Sequence, residues 1–126
     1  MVKDTIALIK DIDEDILVMA GSICTASAAA DLESWGADSL RVGIGNGSMC
    51  ETRIRAGVGI PQVDAILDCK DYVGIPIISD GGCKTTGDIA KALALGADAV
   101  MIGSLFSGTK ETPGIISKMG LWPNEQ

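Results

Sequence analysis

From the N-terminus, apolar residues first recur at helical spacing, at Ile6, Leu8, Ile9 and Ile12, which predicts a short amphipathic helix over 3–12. The pattern then changes to strand-length runs separated by further helical stretches. Ile16–Ala20 is continuously apolar, and Thr25 or Ser27 can cap a following helix that runs to Trp35 and stops at Gly36. Ser39–Gly43 predicts a second strand, and a glycine-rich loop fills 43–60. Pro61 suits a first helical turn, and Val63, Ile66 and Leu67 supply a buried stripe for a helix reaching about Asp71. Ile75–Ser79 is the third strand. Thr86-Gly87-Asp88 opens a helix through Leu95 that Gly96 ends, and Ala99–Ile102 is the fourth strand. Beyond 107 the chain is polar with two prolines, which leaves room for a short helix at 113–119 and a loose end over 120–126.

Strict alternation of strand and helix means parallel strands joined by right-handed crossovers. An internal repeat sharpens the reading. Shifting the chain by sixty residues without a gap lays Gly21–Gly43 on Gly81–Gly103, matching Gly21 with Gly81, Thr25 with Thr85, Ala30 with Ala90, Gly36-Ala37-Asp38 with Gly96-Ala97-Asp98, and Gly43 with Gly103. The repeat unit is two βα modules, as in a (β/α)8 barrel built from quarters, and a whole barrel takes about 200–250 residues. At 126 residues the expected fold class is therefore α/β, a parallel (β/α) half-barrel of four βα units over 1–114, with a tail over 115–126. A flavodoxin-like open sheet, covered on both faces by its helices, is the competing topology.

Composition narrows the chemistry. Hydrophobic residues make up 47% of the chain and aromatics only 3%, so aliphatic and alanine side chains must fill the core. Ten Lys and Arg against seventeen Asp and Glu give a net charge of −7, which argues against a nucleic-acid surface. Any phosphate would have to be held by backbone amides. The chain has no histidine, which excludes a Ser-His-Asp triad, a Cys-His pair and the usual zinc ligand sets. No apolar run approaches the roughly 18 residues of a membrane span, and Met1-Val2-Lys3-Asp4 leads into a charged amphipathic segment, not a signal peptide. Four cysteines without CxxC spacing point to a reducing compartment, and hence to the cytoplasm.

The glycines fall at one edge. Gly21-Ser22, Gly43 to Ser48, Asp80-Gly81-Gly82 and Gly103-Ser104 each follow a predicted strand, where parallel α/β folds place their sites. Several such turns converging form an anion nest of backbone N–H groups. Cys50 lies inside the longest glycine loop, away from any buried stripe, and reads as a reactive thiol. Cys24 and Cys69 read as packing residues, and Cys83 as packing beside the site. Arg41 and Lys91 read as solvated or paired.

These residues also carry a resemblance. Gly43-Ile-Gly-Asn-Gly-Ser-Met-Cys50-Glu-Thr52-Arg53 with Gly57-Val-Gly-Ile-Pro61-Gln62 resembles the catalytic loop of the IMP dehydrogenase and GMP reductase family. Ile77-Ile-Ser-Asp80-Gly-Gly-Cys83, Gly87-Asp88-Ile-Ala-Lys91-Ala and Gly96 through Gly114 resemble its later segments, in order. The likeness spans about 16–114 and corresponds to the last four strands of that family's barrel.

The resemblance implies a role for each matching position. Cys50 would be the nucleophile, its thiolate attacking purine C2 so that hydride passes to or from nicotinamide. Thr52 would assist proton transfer. Ser48, Gly82, Gly103 and Ser104 would cradle phosphate, Asp80 would accept the ribose hydroxyls, and Gly81 would stand among the substrate-binding residues. Ser22, Gly43 and Gly45 would lie on the NADPH or NAD side. Carbonyls of Gly45, Gly47 and Cys50 would form half of a K+ site. Ser22 stands where the family has asparagine, Asn46 replaces a common proline, and Glu51, directly after the nucleophile, is expected to disfavour the thiolate. No segment resembles the other half-barrel or the family's C-terminal flap. Ala65–Cys69 and Ile78–Cys83 lean toward GMP reductase: GMP and NADPH giving IMP, ammonia and NADP. The alternatives are IMP dehydrogenase, and a non-catalytic purine-nucleotide-binding half-barrel or subunit of a split enzyme. The expected partners are a purine nucleoside monophosphate and either a second copy of this chain or a separate N-terminal half-barrel. That other half is expected to cover some of Leu17, Met19, Val42, Ile77, Val100 and Ile102.

Overall fold

A computed structural model describes residues 1–114. The elements are α1 (Val2–Ile12), β1 (Met19–Ile23), α2 (Ala26–Ser34), β2 (Ser39–Val42), α3 (Thr52–Arg55), α4 (Gln62–Lys70), β3 (Ile77–Asp80), α5 (Thr86–Ala94) and β4 (Ala99–Met101), then one 3₁₀ turn at Ser104–Phe106. The four strands form one parallel sheet in chain order, β1-β2-β3-β4. Right-handed crossovers between consecutive neighbours deliver α2, α4 and α5 to the same side of the sheet. Burial follows that rule. Ala20, Leu40, Val42, Ile77 and Ser79 face the helices and are buried, whereas Met19, Gly21, Arg41, Ile78 and Asp80 occupy the other face and keep solvent contact. This is a half-barrel, and the doubly covered open sheet is overturned.

Small side chains let the layers approach closely. One core cluster joins Ile6, Ala20, Ala29, Leu32, Ala37, Leu40, Val42, Ala65, Cys69 and Ile77, and a second joins Ile66, Cys83, Ala92 and Ala97. Thr25 caps α2 through Ala28 N–H, and Thr85 with Asp88 forms a reciprocal capping box on α5. The aspartate of each Gly-Ala-Asp triplet ties down the start of the preceding strand. Asp38 Oδ2 accepts from Val18 N–H at 2.7 Å and Asp98 Oδ2 from Ile77 N–H at 2.8 Å, while their own N–H groups return to Val18 O and Ile77 O.

Several boundaries move from the sequence reading, each for a local reason. The first strand begins at Met19, not Ile16, because the Asp38 clamp fixes Val18 immediately before it. The third begins at Ile77, since Pro76 has no N–H to give a ladder. Gly21 and Ser22 consequently lie within β1, where the ladder to β2 breaks register between Gly21 and Ile23. That irregularity also shifts the repeat. Gly21 pairs with Arg41 as Asp80 pairs with Met101, so the counterpart of Gly21 is Asp80 and not Gly81. On α4 the buried stripe is Ala65, Ile66 and Cys69, with Val63 and Leu67 exposed. Val42 and Ile77 lie under helices and Val100 packs on the second cluster, so none of these three lies on the face expected to meet another half-barrel; Leu17 and Met19 are exposed. The proposed helix at 113–119 falls largely outside the described residues, and 120–126 wholly so.

Candidate active site

The loop after β2 is anchored before it is free to wander. A Cβ at Gly43 would overlap the carbonyl oxygen of Asp80, and one at Gly81 would sit 2.8 Å from Gly47 N, so loop and strand end meet backbone to backbone. Gln62, the first residue of α4, crosses beneath. Its Nε2 donates to Val42 O at 2.7 Å and Ser79 Oγ at 2.9 Å, and its Oε1 accepts from Asn46 Nδ2. Arg53 Nη2 donates to Asn46 Oδ1 and, at 2.8 Å, to Ile60 O. The loop contains one helical turn that periodicity did not show, α3, which carries Thr52 at its start.

Cys50 is exposed, just ahead of that turn, with Sγ 3.1 Å from Thr52 Oγ1. The Thr52 hydroxyl and then its N–H hold the thiol below its ordinary pKa; partial desolvation opposes them, and Gly45 N–H and the Arg53 charge assist. The expected penalty from Glu51 does not arise. Its carboxylate is turned along α3 onto Arg55 Nε. The other thiols differ: burial pushes Cys69 up to about 11 and raises Cys83 as well.

Two clefts meet at Cys50. The first, about 330 Å³, is lined by Ser48, Cys50, Asp80, Gly81, Gly82, Gly103 and Ser104, together with Arg41, Met101 and Cys83. The second, about 260 Å³, is lined by Ser22, Gly43, Gly45, Gly47, Cys50 and Thr52 and shares Arg41 and Asp80 with the first. Ser48 Oγ donates to Ser104 Oγ at 3.2 Å across the first cleft. Arg41 places Nε 2.9 Å and Nη2 2.8 Å from the same Asp80 oxygen, Oδ2. Gly103 needs no glycine for the sake of the described residues: its φ is −114° and a Cβ there meets none of them within 4 Å. Gly103 also lines the first cleft.

Sequence reasoning passed over Arg53 and Gln62 as working residues, although both stand in the quoted motifs. The available signal was a polar glutamine at the head of a short helix, beside a loop too long to hold itself. Met101 also lines the first cleft and gave no signal. As for a cation, Gly47 O already accepts Cys50 N–H at 3.0 Å. Carbonyls from one loop are hard donors suited to an alkali ion, but Gly45, Gly47 and Cys50 alone do not complete its shell. Among the described residues no cluster of Cys, Asp and Glu could hold a metal either, and no helix is long and apolar enough to cross a membrane.

The loop-borne thiol and its two clefts lie at the C-terminal ends of the parallel strands of a (β/α) half-barrel, the edge at which such barrels carry their sites. The chain belongs to the IMP dehydrogenase / GMP reductase family, whose domain matches residues 1–120. It is 53% identical over 116 residues to inosine-5'-monophosphate dehydrogenase of Chlorobaculum tepidum, covering 90% of this chain and 24% of that protein. It is 53% identical over 100 residues to GMP reductase of Leishmania donovani, covering 77% of this chain and 20% of that protein. A solved cysteine-to-alanine variant of GMP reductase from Trypanosoma brucei superposes with a TM-score of 0.86 at 41% identity, over 90% of this chain and 27% of that one. The chain thus spans about a quarter of the length of the proteins it matches.

Proposed function

We propose that this chain forms the thiol-bearing, nucleotide-binding half of a purine nucleotide oxidoreductase, converting GMP to IMP and ammonia with NADPH. The observation that carries this reading is Cys50, standing at the junction of a cleft lined by Ser48, Asp80, Gly82, Gly103 and Ser104 and a second cleft lined by the same cysteine. With a net charge of −7 and, among the described residues, no lysine lining the first cleft, phosphate is held by the Ser48 and Ser104 hydroxyls and the N–H groups of Gly82 and Gly103. Asp80 keeps Oδ1 for ribose hydroxyls while Arg41 engages Oδ2. The Cys50 thiolate adds to C2 of the purine. Thr52 hydrogen-bonds the sulfur beforehand and is placed to pass a proton. The 2-amino group takes a proton and leaves as ammonia, and the C2–S bond holds the base in place. Ser22, Gly43 and Gly45, which line the second cleft, would hold a reduced nicotinamide there, and it would supply the hydride that C2 receives. The C–S bond then breaks, thiolate returns to Cys50, and IMP departs.

The same thiolate serves the opposite hydride direction, from IMP and NAD to XMP and NADH. Relatives of both names match the chain, and the segments Ala65–Cys69 and Ile78–Cys83 carry the lean to the reductase. A reducing, cytoplasmic setting suits an enzyme that depends on one exposed thiol. The uncovered face bearing Met19, Arg41 and Ile78 supports a second reading. In it the chain binds nucleotide but turns over only when a complementary half-barrel, or a second copy, covers that face.

Calorimetric titration with IMP and GMP tests the cradle, and absorbance at 340 nm tests turnover in both directions. Micromolar binding with NADPH oxidation dependent on GMP is expected, and Cys50→Ala should abolish turnover while sparing binding. Binding without turnover selects the second reading. Turnover that survives Cys50→Ala would overturn the mechanism.

A further inference from the structure

We infer that Arg53 is a positioning residue that staples the two ends of the 43–60 loop and so sets how Cys50 and Thr52 are presented. Its functional weight rests on Cys50 being the nucleophile proposed above. One nitrogen, Nη2, bridges Asn46 near the loop's start to Ile60 O at its end. The first half of the loop also touches the strand ends, at Gly47 beside Gly81 and through Ser48 Oγ to Ser104 Oγ at 3.2 Å, and Ile60 N–H donates to Ile44 O at 3.2 Å, but α3 is a single turn with no buried residue. A loop of this length tethered only at its ends would sample many conformations. The staple removes much of that freedom on the segment that carries the thiol.

Two glycines make room for it. A Cβ at Gly59 would lie 2.6 Å from both Cγ and Nε of Arg53, and one at Gly45 would lie 2.8 Å from Cγ and 2.9 Å from Nε. The side chain therefore threads a slot whose walls are bare backbone. Gly59 does not have the positive φ that would itself demand glycine, so the slot accounts for this residue where the backbone does not. From Asn46 the connection continues through Gln62 to Ser79, which is fully buried in β3. The loop is thus referenced to the sheet, and the guanidinium also places positive charge near Cys50.

The test uses the whole chain without nucleotide, with amide hydrogen exchange and iodoacetamide alkylation of Cys50 followed by peptide mapping across pH. Arg53 is exposed and outside both core clusters, so Arg53→Met should keep the fold. It should speed exchange at Cys50 and Ile60 N–H by about tenfold or more, as loss of charge-assisted hydrogen bonds implies, and shift the alkylation profile to higher pH. Amides of β2 and β3 should not change. Arg53→Lys should restore part of the protection. Gly59→Ala, by filling the slot, should reproduce Arg53→Met, and the two together should not add. Unchanged loop exchange in Arg53→Met, or full additivity, would overturn the staple. Arg53→Met decides the matter alone if Gly59→Ala does not fold. Because no nucleotide is present, failure here leaves the proposed function standing, and failed IMP binding leaves the staple standing.

Discussion

Gln62 is where the fold and the site share one side chain, and Gln62→Leu separates them at nearly constant volume. The substitution removes a donor from two acceptors, Val42 O at 2.7 Å and Ser79 Oγ at 2.9 Å, in residues that are both 0% exposed. Each stranded buried acceptor costs about 1–3 kcal/mol. Gln62 itself is only half-buried, so water can reach part of the gap. The expected loss is therefore about 2–3 kcal/mol, a substantial fraction of the roughly 5–15 kcal/mol typical of a domain. Urea unfolding followed by far-ultraviolet circular dichroism should show a lower midpoint with an unchanged slope. Ser79→Ala in the Gln62→Leu background should recover about 1 kcal/mol, because the orphaned hydroxyl is then gone. A loss below about 0.5 kcal/mol, or strict additivity of the two changes, would refute Gln62 as the polar hub of the sheet edge.

Gly103→Ala should leave the urea midpoint unchanged, since its φ of −114° is not one that favours glycine and a Cβ there meets none of the described residues within 4 Å. The same change should weaken IMP binding at least tenfold by calorimetry, and unchanged affinity would remove Gly103 from the cradle. Cys69, pushed up to about 11 by burial, favours the folded state while it stays a neutral thiol. That contribution is whole below the unfolded thiol's pKa, near 8.5, and is lost as pH rises toward 11. The wild-type urea midpoint should fall between pH 8.5 and pH 11 more steeply than that of Cys69→Ala, and parallel curves would contradict the assignment. Asp98→Ala removes the acceptor of the Ile77 N–H and should cost about 1–2 kcal/mol, with faster exchange of that amide as the direct readout.

The βα alternation, the parallel sheet and the half-barrel were legible because each rests on a local rule: apolar runs of strand length, Thr caps, and Gly-Ala-Asp stops. The errors share a cause. Strand starts are set by partners remote in sequence, so Ile16 and Ile75, apolar and strand-like in isolation, fall outside the ladders that Asp38 and Asp98 delimit. The helix stripes failed likewise. Val63 and Leu67 share helical spacing with Ile66, yet the layers close on the small residues Ala65 and Cys69 because those permit approach. Counting the repeat without a gap also concealed the break in register after Gly21.

Residues with their own chemistry were visible at the site, and those that hold others in place were not. Cys50, Ser48, Asp80 and Gly103-Ser104 stand out by type and by position after strands, and the structure gathers them on one cleft. Glu51 shows the opposite limit. Adjacency in sequence pointed its charge at the thiol, but one turn of helix brings Arg55 within reach and carries the carboxylate away. Arg53 and Gln62 act at right angles to the chain, joining residues 7 to 20 positions apart. Such links have no periodic signature. Their trace in the sequence is indirect: glycines at 45 and 59 that clear a slot, and a glutamine where a helix would otherwise begin with an apolar or capping residue. A glycine without a positive φ and without a ligand nearby therefore calls for a search for the side chain that occupies its place. At Gly59 that side chain is Arg53, whereas at Gly103 none is found among the described residues, and in the reading proposed above the nucleotide takes that place.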